Sequence, residues 1–262
     1  ALGMFITTFA GTKERYKPIK KETTAKKKTH PLKTIKILCR NKYFILITLA
    51  FAVIYTSLGL TGGSRIYYAK YVLGDEMLNS TMTMFNYIPT ILTIMLIPVF
   101  TKRFGKIKAL FVGFLFYAAG LVLEIAGPVN LPMIYTGLVL QGIGHAALYS
   151  CLFAIVGDVV DYSEWKDGIR EEGITYSVTS FGQKIGTGLG TAALGWILAA
   201  GHYDGTAAVQ SASAIFAIKG LFLYLPLVIT VIVLIIWYLF MGIDKIYPTV
   251  RKELDERREK AE

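Results

Sequence analysis

Six long apolar segments, separated by short polar connections, dominate the hydrophobicity pattern of the chain. They run approximately over residues 43–62 or a little beyond, 81–100, 107–126, 131–157, 174–200 and 215–241. A hydrocarbon core about 30 Å thick is crossed by about 20 helical residues at 1.5 Å each, and each segment is close to that length or above it. The pattern therefore predicts an all-α membrane protein, with six transmembrane helices forming a bundle over residues 43–241.

The residues outside this bundle divide into three regions. We predict that residues 1–10 are the end of a preceding transmembrane helix and 11–42 a basic middle loop. Residues 242–262 form a tail whose interleaved acidic and basic residues favour a solvated amphipathic helix. Lys and Arg are concentrated in the loop, the tail and every second connection. By the positive-inside rule, the N-terminal loop and the C-terminal tail are therefore expected to be cytoplasmic.

Composition agrees with a membrane location and argues against two other classes. Of the 262 residues, 54% are hydrophobic, which is too apolar for an ordinary soluble domain. The formal charge of +10 would suggest nucleic acid only if the basic residues formed one folded face, and here they lie between the apolar segments. The two cysteines, Cys39 and Cys151, imply no disulfide framework. The expected partner is a lipid bilayer, and no nucleic acid is expected.

The fifth apolar segment carries a lysine, Lys184, near its middle. A charge at mid-bilayer depth costs roughly 2.5 to 3.5 kcal/mol, so such a residue usually faces protein or water and carries function. The residues within about 60° of it on a helix are Ser177, Ser180, Thr187 and Thr191, and those on the opposite side are Gly182, Gly186 and Gly190. The first face suits a watery cavity, and the second suits close helix packing.

The fourth segment repeats the polar theme with Gln141, His145 and Tyr149 on one helical face. Gln141 and Lys184 each lie about 15 Å from the nearer end of their helices, so we expect both faces to line one cavity. The alternative is that these polar residues only form hydrogen bonds to a neighbouring helix, worth about 0.6 to 2 kcal/mol each.

Lys184 has no carboxylate at its depth in the six segments, because Glu124 and Asp158 are placed near segment ends. Its partner is therefore expected outside this chain, the alternative being a salt-bridged structural lysine. Arg65 and Lys70 come late in the first segment, where extension of both side chains to the outer interface is expected. Alternatively, Arg65 receives the carboxylate of an acidic substrate, because its planar fork matches one.

The connection between the fourth and fifth segments is rich in carboxylates, with Asp158, Asp161 and four others around Lys166 and Arg170. No spacing in it matches a known metal-binding loop, and no metal is predicted. We interpret it as a cytoplasmic gate of ion pairs, formed chiefly by Asp158, Asp161 and Arg170, which are made in one conformation and broken in another.

Three stretches carry a family resemblance: GDVVDYSEWKDGIREEGITYSVTSFGQKIG, GGSRIYYAKYVLGD and FITTFAGTKERY. They resemble the glycoside-pentoside-hexuronide:cation symporter family, a melibiose permease-like family of the major facilitator superfamily, and the resemblance covers essentially the whole chain. It implies a twelve-helix major facilitator fold of which this chain is the C-terminal half with the middle loop attached. The N-terminal six-helix half would then hold the cation-binding carboxylates, so the coupling cation, sodium or proton, is expected mainly there, with no other cofactor.

The resemblance also assigns roles to individual residues. Lys184 matches the family's lysine at the sugar and cation site and is expected to couple the two. Tyr149 falls where a family member has a tryptophan near the sugar, and Thr179 and Ser180 match positions beside the sugar. At Gln183 the chain departs from an apolar residue, which leaves the sugar unspecified.

These observations predict secondary active transport of a sugar, either a glycoside, a pentoside or a hexuronide. Transport would be coupled to sodium or proton by alternating access in a multi-pass protein of a bacterial inner or plasma membrane. The expected substrate-binding residues are Gln141, His145, Tyr149, Thr179, Ser180, Gln183 and Lys184. The alternatives are a major facilitator transporter of a non-sugar amphiphile or drug and a non-transporting membrane scaffold. No enzyme is expected, because no nucleophile and no cluster of His and carboxylate side chains is expected at the depth of His145.

Overall fold

The computed structural model of the chain describes residues 3, 4, 7, 11, 38, 40–168, 170–207 and 209–259. It forms two units, Ala1–Ile37 and Leu38–Glu262. In the first unit, the Thr7 hydroxyl donates to the carbonyl oxygens of Gly3 and Met4, at 3.0 Å each. Most of the predicted helix end 1–10 and of the predicted loop 11–42 lies outside the described residues, so both predictions stand as they were made.

The described part of the second unit is helical and contains no strand. Its helices are α1 (Lys42–Tyr71), α2 (Leu78–Ile94), α3 (Ile97–Phe104), α4 (Lys106–Ala126), α5 (Leu131–Asp167), α6 (Glu172–Ala200), α7 (Ala212–Lys219), α8 (Leu225–Phe240) and α9 (Gly242–Glu259), with a π-helical turn over Gly220–Tyr224 between α7 and α8. Each predicted apolar segment coincides with one of these helices or with a run of adjacent ones. The all-α prediction is confirmed for these residues.

Fewer of the described helices meet the length and hydropathy of a membrane span than the six that were predicted. Among the described residues, four helical stretches are long and apolar enough to cross a membrane, and a fifth is if α2 and α3, bent by 55°, form one span. The 29-residue helix α6 is long enough but is not among them. Its lysine, hydroxyl side chains and glycines lower its hydropathy. The predicted total of six spans therefore depends on α6, whose polar face needs protein or water beside it.

Helices α4 and α5 pack closely along a glycine-lined contact. A methyl group added at Gly113 would lie 2.6 Å from the Cβ of Ala147, and one at Gly144 would lie 2.6 Å from the carbonyl oxygen of Gly113. Gly120 and Gly137 face each other in the same way. Small residues allow helix backbones to approach closely in a membrane, where dispersion contacts rather than the hydrophobic effect hold helices together. This contact fixes the position of α5 against α4.

Helices α1 and α6 form a second glycine-lined contact. Gly182, Gly186 and Gly190 are buried, and side chains at these positions would run into the backbone of α1 near Thr48, Ala52 and Thr56. The predicted small-residue face of α6 is thus confirmed as a packing surface. Because one side of α6 is held against α1, the opposite side, with Lys184, points away from the bundle core.

One end of the bundle, which we call the basic end, is held together by polar contacts between helix termini. Asn41 caps the start of α1 and donates from its side-chain amide to the Ser163 hydroxyl, at 2.9 Å. Lys106 at the start of α4 binds Asp158 of α5 with nitrogen–oxygen distances of 2.6 and 2.8 Å. Asp244 accepts hydrogen bonds from the first backbone amides of α4. These contacts connect segments far apart in sequence.

The charge pattern of the tail predicted a helix surrounded by solvent. In the structure, the tail helix α9 is instead packed against the bundle. Ile243, Val250 and Leu254 are buried in the same core as residues of α1, α4 and α5. The Trp165 indole also donates to the Glu253 carboxylate, at 2.7 Å. Most of the described charged residues lie on the outer face of the helix, and its few apolar residues, together with Asp244 and Glu253, attach the inner face.

We predict that Gly186→Ala will destabilise the protein by about 1 to 3 kcal/mol, because the added methyl group overpacks the contact between α6 and the backbone of α1 at Ala52. Unfolding of the purified protein in detergent measures the loss. The matched control is Gly188→Ala on the same helix, where a methyl group meets open space. Alanine there is expected to be neutral or stabilising by up to about 1 kcal/mol. Equal losses in both variants would contradict this packing.

Candidate functional site

The exposed face of α6 carries an open pocket of about 420 Å³ around Lys184. Its lining residues are Tyr176, Ser177, Ser180, Phe181 and Lys184. Lys184 itself is exposed, and within the described part of the chain no carboxylate oxygen lies within 4.0 Å of its amine. The structure thus presents a cation on an open polar face without a counter-charge from the described residues.

Two residues predicted to bind substrate from α6 lie elsewhere on this helix. Thr179 is completely buried, and its hydroxyl donates to the carbonyl oxygens of Thr175 and Tyr176. Thr179 therefore does not face the open pocket in this structure, because threonine can satisfy its hydroxyl on the preceding turn of its own helix and pack its methyl group inward. Gln183 is partly buried beside Lys184 but is not part of the pocket lining.

Gln141 on α5 also faces away from any open surface. It is buried, and its side-chain amide donates to the Glu124 carboxylate of α4, at 2.7 Å. The Lys184 pocket is lined by α6 alone, so the expected shared cavity for Gln141 and Lys184 is not formed. Gln141, His145 and Tyr149 share one face of α5, as predicted. The part of this face that carries Gln141, however, points toward α4, because the glycine contact with α4 rotates this part of α5 inward.

His145, one turn further along α5, is held in one orientation. Asn86 of α2 donates from its amide nitrogen to the Leu138 carbonyl oxygen, which leaves the Asn86 carbonyl oxygen facing Nδ1 of His145, at 3.2 Å. Since that oxygen can only accept, the proton lies on Nδ1 and the other ring nitrogen, Nε2, is an acceptor. The His145 ring also stacks on Tyr149, with 5.8 Å between ring centroids.

Tyr149 opens onto a group of tyrosines from three helices. Its side chain is 46% exposed, and Tyr55 of α1 and Tyr87 of α2 lie close enough to interact with it electrostatically. We call this group, Tyr55, Tyr87 and Tyr149, the tyrosine cleft. Tyr55 and Tyr87 were not among the residues predicted from sequence. The signal was their position well inside the apolar segments, whereas membrane tyrosines are enriched at the two interfaces.

Arg65 lies beside the tyrosine cleft and is turned into the protein. One of its terminal nitrogens donates to the Thr83 hydroxyl of α2, at 3.2 Å, and its Nε is buried without a hydrogen-bond partner. It interacts electrostatically with Tyr149, His145 and Glu124. Simple extension to the outer interface therefore does not describe Arg65. It does describe Lys70, which is exposed and lies 3.4 Å from Glu76.

The predicted gate residues at the basic end form two linked clusters. Arg170 binds Asp161, Glu164 and Glu172, with nitrogen–oxygen distances of 2.8, 2.6 and 2.5 Å. Burial lowers the pKa of the Arg170 guanidinium, but these hydrogen bonds outweigh burial and hold the pKa above its ordinary value. Arg170 therefore stays charged at any physiological pH.

The predicted gate grouped Asp158 with Arg170, but the two residues do not form an ion pair in the structure. Asp158 is buried and binds Lys106, while the Tyr247 hydroxyl of the tail helix donates to Asp161, at 2.9 Å. The Lys106 amine also lies over the Tyr247 ring, 5.4 Å from its centre. Tyr247 thus connects the two clusters. Among the described residues, no group of three or more His, Cys, Asp or Glu side chains could hold a metal ion.

The fold and these sites together define a class of protein. Long apolar helices, packed through glycine faces and carrying polar side chains on open surfaces, are those of a multi-pass membrane protein. A family model described as MFS/sugar transport protein matches residues 1–245, and the chain belongs to that family. The sequence-based assignment to a sugar-transport family of the major facilitator superfamily is confirmed, and with it the prediction of a transport protein instead of an enzyme.

Several curated relatives share this similarity over most of the chain. The isoprimeverose transporter of Lactiplantibacillus pentosus is 32% identical over 98% of the chain and 53% of its own length. A putative 2,3-dihydroxypropane-1-sulfonate exporter of Salmonella typhimurium is 29% identical over 95% of the chain and 54% of its own length. A glucuronide carrier protein homolog of Escherichia coli is 26% identical over 86% of the chain and 50% of its own length. The chain spans about half the length of these curated relatives.

We expect Asp158→Asn to destabilise the protein by about 1 to 3 kcal/mol. This is less than the about 3 to 5 kcal/mol for a fully buried pair, since Lys106 is partly exposed and retains water. Chemical unfolding in detergent checks it. The control is Glu256→Gln, which removes an exposed contact with Lys252 at 4.0 Å and should cost less than about 1 kcal/mol. If the two variants lose the same stability, the Asp158–Lys106 pair is not a structural contact of the basic end.

Proposed function

We propose that the chain forms the C-terminal six-helix half of a twelve-helix sugar:cation symporter of a bacterial inner or plasma membrane. The family match, the relatives of about twice its length and the helical bundle support this proposal. The basic end, which carries the tail helix, would face the cytoplasm. Transport would proceed by alternating access, with the two halves rocking about a site between them.

The observation that carries this proposal is the exposed, unpaired amine of Lys184 on the polar face of α6. A charged group in a membrane helix requires a partner or water, and none of the described carboxylates reaches it. Carboxylates of the N-terminal half would supply the counter-charge and hold the sodium ion or proton. Binding of the cation would then compete with the Lys184 ion pair, and sugar binding at the same face would link the two events.

The sugar would bind between the α6 face and the tyrosine cleft. Tyr149 is exposed and held by His145, so its ring can stack on a sugar face while Nε2 of His145 accepts a hydrogen bond from a hydroxyl group. Ser180 and Lys184 would contact hydroxyl groups from α6, with Gln183 next to them. Gln141 and Thr179 are left out, because both side chains are buried and satisfied within the bundle.

The ion-pair clusters at the basic end would act as the cytoplasmic gate. Arg170 binds carboxylates of both α5 and α6, so separation of these two helix ends requires its contacts to open. The alternative reading as a transporter of amphiphiles is less well supported, since the exposed α6 face presents hydroxyl groups and an amine. Counterflow assays that compare glycosides with amphiphiles distinguish these readings.

The central test is Lys184→Val in the full-length transporter. Without the amine, the N-terminal carboxylates lose their partner and cation binding is no longer linked to sugar binding. Gradient-driven accumulation of sugar should therefore be abolished, as measured by uptake into vesicles under an imposed sodium or proton gradient.

The matched control is Thr187→Val, which lies on the same exposed face and removes a hydroxyl group but no charge. Accumulation should persist in this variant. Normal uphill uptake by Lys184→Val would rule out the proposed coupling role.

The relatives named as a glucuronide carrier homolog and a sulfonate exporter suggest acidic substrates as one option for this chain. Arg65 would then bind the acidic group, because its Nε is buried and free for a partner. We predict that Arg65→Gln will raise the transport KM for an acid sugar about tenfold or more, the worth of a hydrogen bond to a charged group. The KM for a neutral analogue should stay unchanged. Equal effects on both sugars would show that Arg65 serves only the structure.

A further inference from the structure

Glu124 is a buried carboxylate inside the helix bundle that the sugar site does not use. It lies on α4, two residues before the end of that helix, and is completely inaccessible to solvent. The residue opposite it on α5 is Gly137, where even a methyl group would come within 2.6 Å of the Glu124 side chain. The glycine therefore makes room for a carboxylate at a position where an apolar residue would ordinarily fill the contact.

The two oxygens of Glu124 have different surroundings. Oε1 accepts a hydrogen bond from the side-chain amide of Gln141, at 2.7 Å. Oε2 is buried and has no hydrogen-bond partner among the described residues. An ionised carboxylate with one unsatisfied oxygen in an apolar interior is costly, whereas a protonated one carries no charge. The site thus suits a carboxyl group that can take up and release a proton.

The groups around Glu124 come from three helices. Arg65 and Tyr68 of α1 and Tyr117 of α4 interact with it electrostatically, and α5 contributes the uncharged amide of Gln141. The π-helical turn brings only the Tyr224 hydroxyl, which interacts with Tyr68. Arg65 is therefore the one described cation that acts on this carboxylate.

Arg65 and Glu124 each retain an unsatisfied buried atom, Nε and Oε2. In this conformation Arg65 donates to Thr83, so the counter-charge of Glu124 is engaged elsewhere. A shift of Arg65 toward Glu124 would stabilise the ionised carboxylate, and a shift away would favour the protonated acid.

We propose that Glu124 is a proton-binding site within this half of the transporter, controlled by the position of Arg65. This rests on the proposed transport function and names the proton as a coupling ion. When bound substrate holds Arg65 at the tyrosine cleft, where it donates to Thr83, the Glu124 carboxylate binds one proton from water and forms an O–H bond. When substrate leaves and Arg65 moves toward Glu124, that bond breaks and the proton goes back to water. Substrate and proton therefore bind together.

A sodium ion is a poorer occupant of this site. A bound metal cation needs several oxygen ligands, and Gln141, which is hydrogen-bonded to Glu124, presents its N–H and not its oxygen to the carboxylate. Arg65 would also repel a second fixed cation, whereas a proton shared with the carboxylate removes a charge from the interior.

The test uses the full-length transporter and the variant Glu124→Gln, which preserves side-chain shape but cannot be ionised. We expect accumulation driven by a proton gradient to be lost, while sugar counterflow, which needs no net proton movement, is retained. Glu76→Gln removes an exposed carboxylate near the same end of the bundle and should change neither activity. Unchanged proton-driven accumulation in Glu124→Gln would overturn the proposal, as would loss of counterflow in a variant that is still folded.

An infrared measurement on the purified protein tests the site apart from transport. Wild type and Glu76→Gln should show a carboxylic-acid carbonyl band that grows when substrate is added, and Glu124→Gln should lack it. A band that does not respond to substrate would indicate a permanently protonated structural acid and would refute the proposal. If wild type neither transports sugar nor exchanges it, the transport function fails, whereas failure of the infrared test in an active wild type refutes only the Glu124 site.

Discussion

Close contact between helix backbones, made possible by glycine, is the constraint on which the rest of the structure depends. In a bilayer the lipid is as apolar as the helix surfaces, so helices associate through dispersion contacts that require close approach. The α1–α6 contact turns the lysine face of α6 outward, and the α4–α5 contact brings Gln141 against Glu124. The two glycine contacts thus determine which polar side chains remain exposed and which are buried inside the bundle.

Helix positions and the outward face of α6 could be predicted from sequence, because both follow from period and length. Lys184 stands among hydroxyl residues and opposite a row of glycines, and only one arrangement hides the glycines and exposes the amine. The family could also be assigned from sequence, because the motifs that identify it are contiguous stretches of the chain. The number of spans could not be fixed this way, because the lysine, hydroxyl side chains and glycines of α6 lower its hydropathy.

The direction of individual polar side chains was harder to predict. Gln141 and His145 share a helix face, yet one donates to α4 and the other is held by α2, because α5 lies between those two helices. Counting from the segment end placed Glu124 near an interface, whereas Gly137 on the facing helix leaves it room in the interior. Thr179 satisfied its hydroxyl on its own helix. These outcomes depend on tertiary neighbours, about which spacing within one helix carries no information.

The start of α4 has an unusual cap. Gly105 precedes it with φ of 93° and no side chain, and the first free amides of the helix are bound instead by Asp244, from the beginning of α9. A cap normally comes from a neighbouring residue and is available as soon as the helix forms. Here the ribosome must add more than a hundred further residues before the capping carboxylate exists. The order of biosynthesis therefore leaves this helix terminus without its cap until the start of α9 has been made.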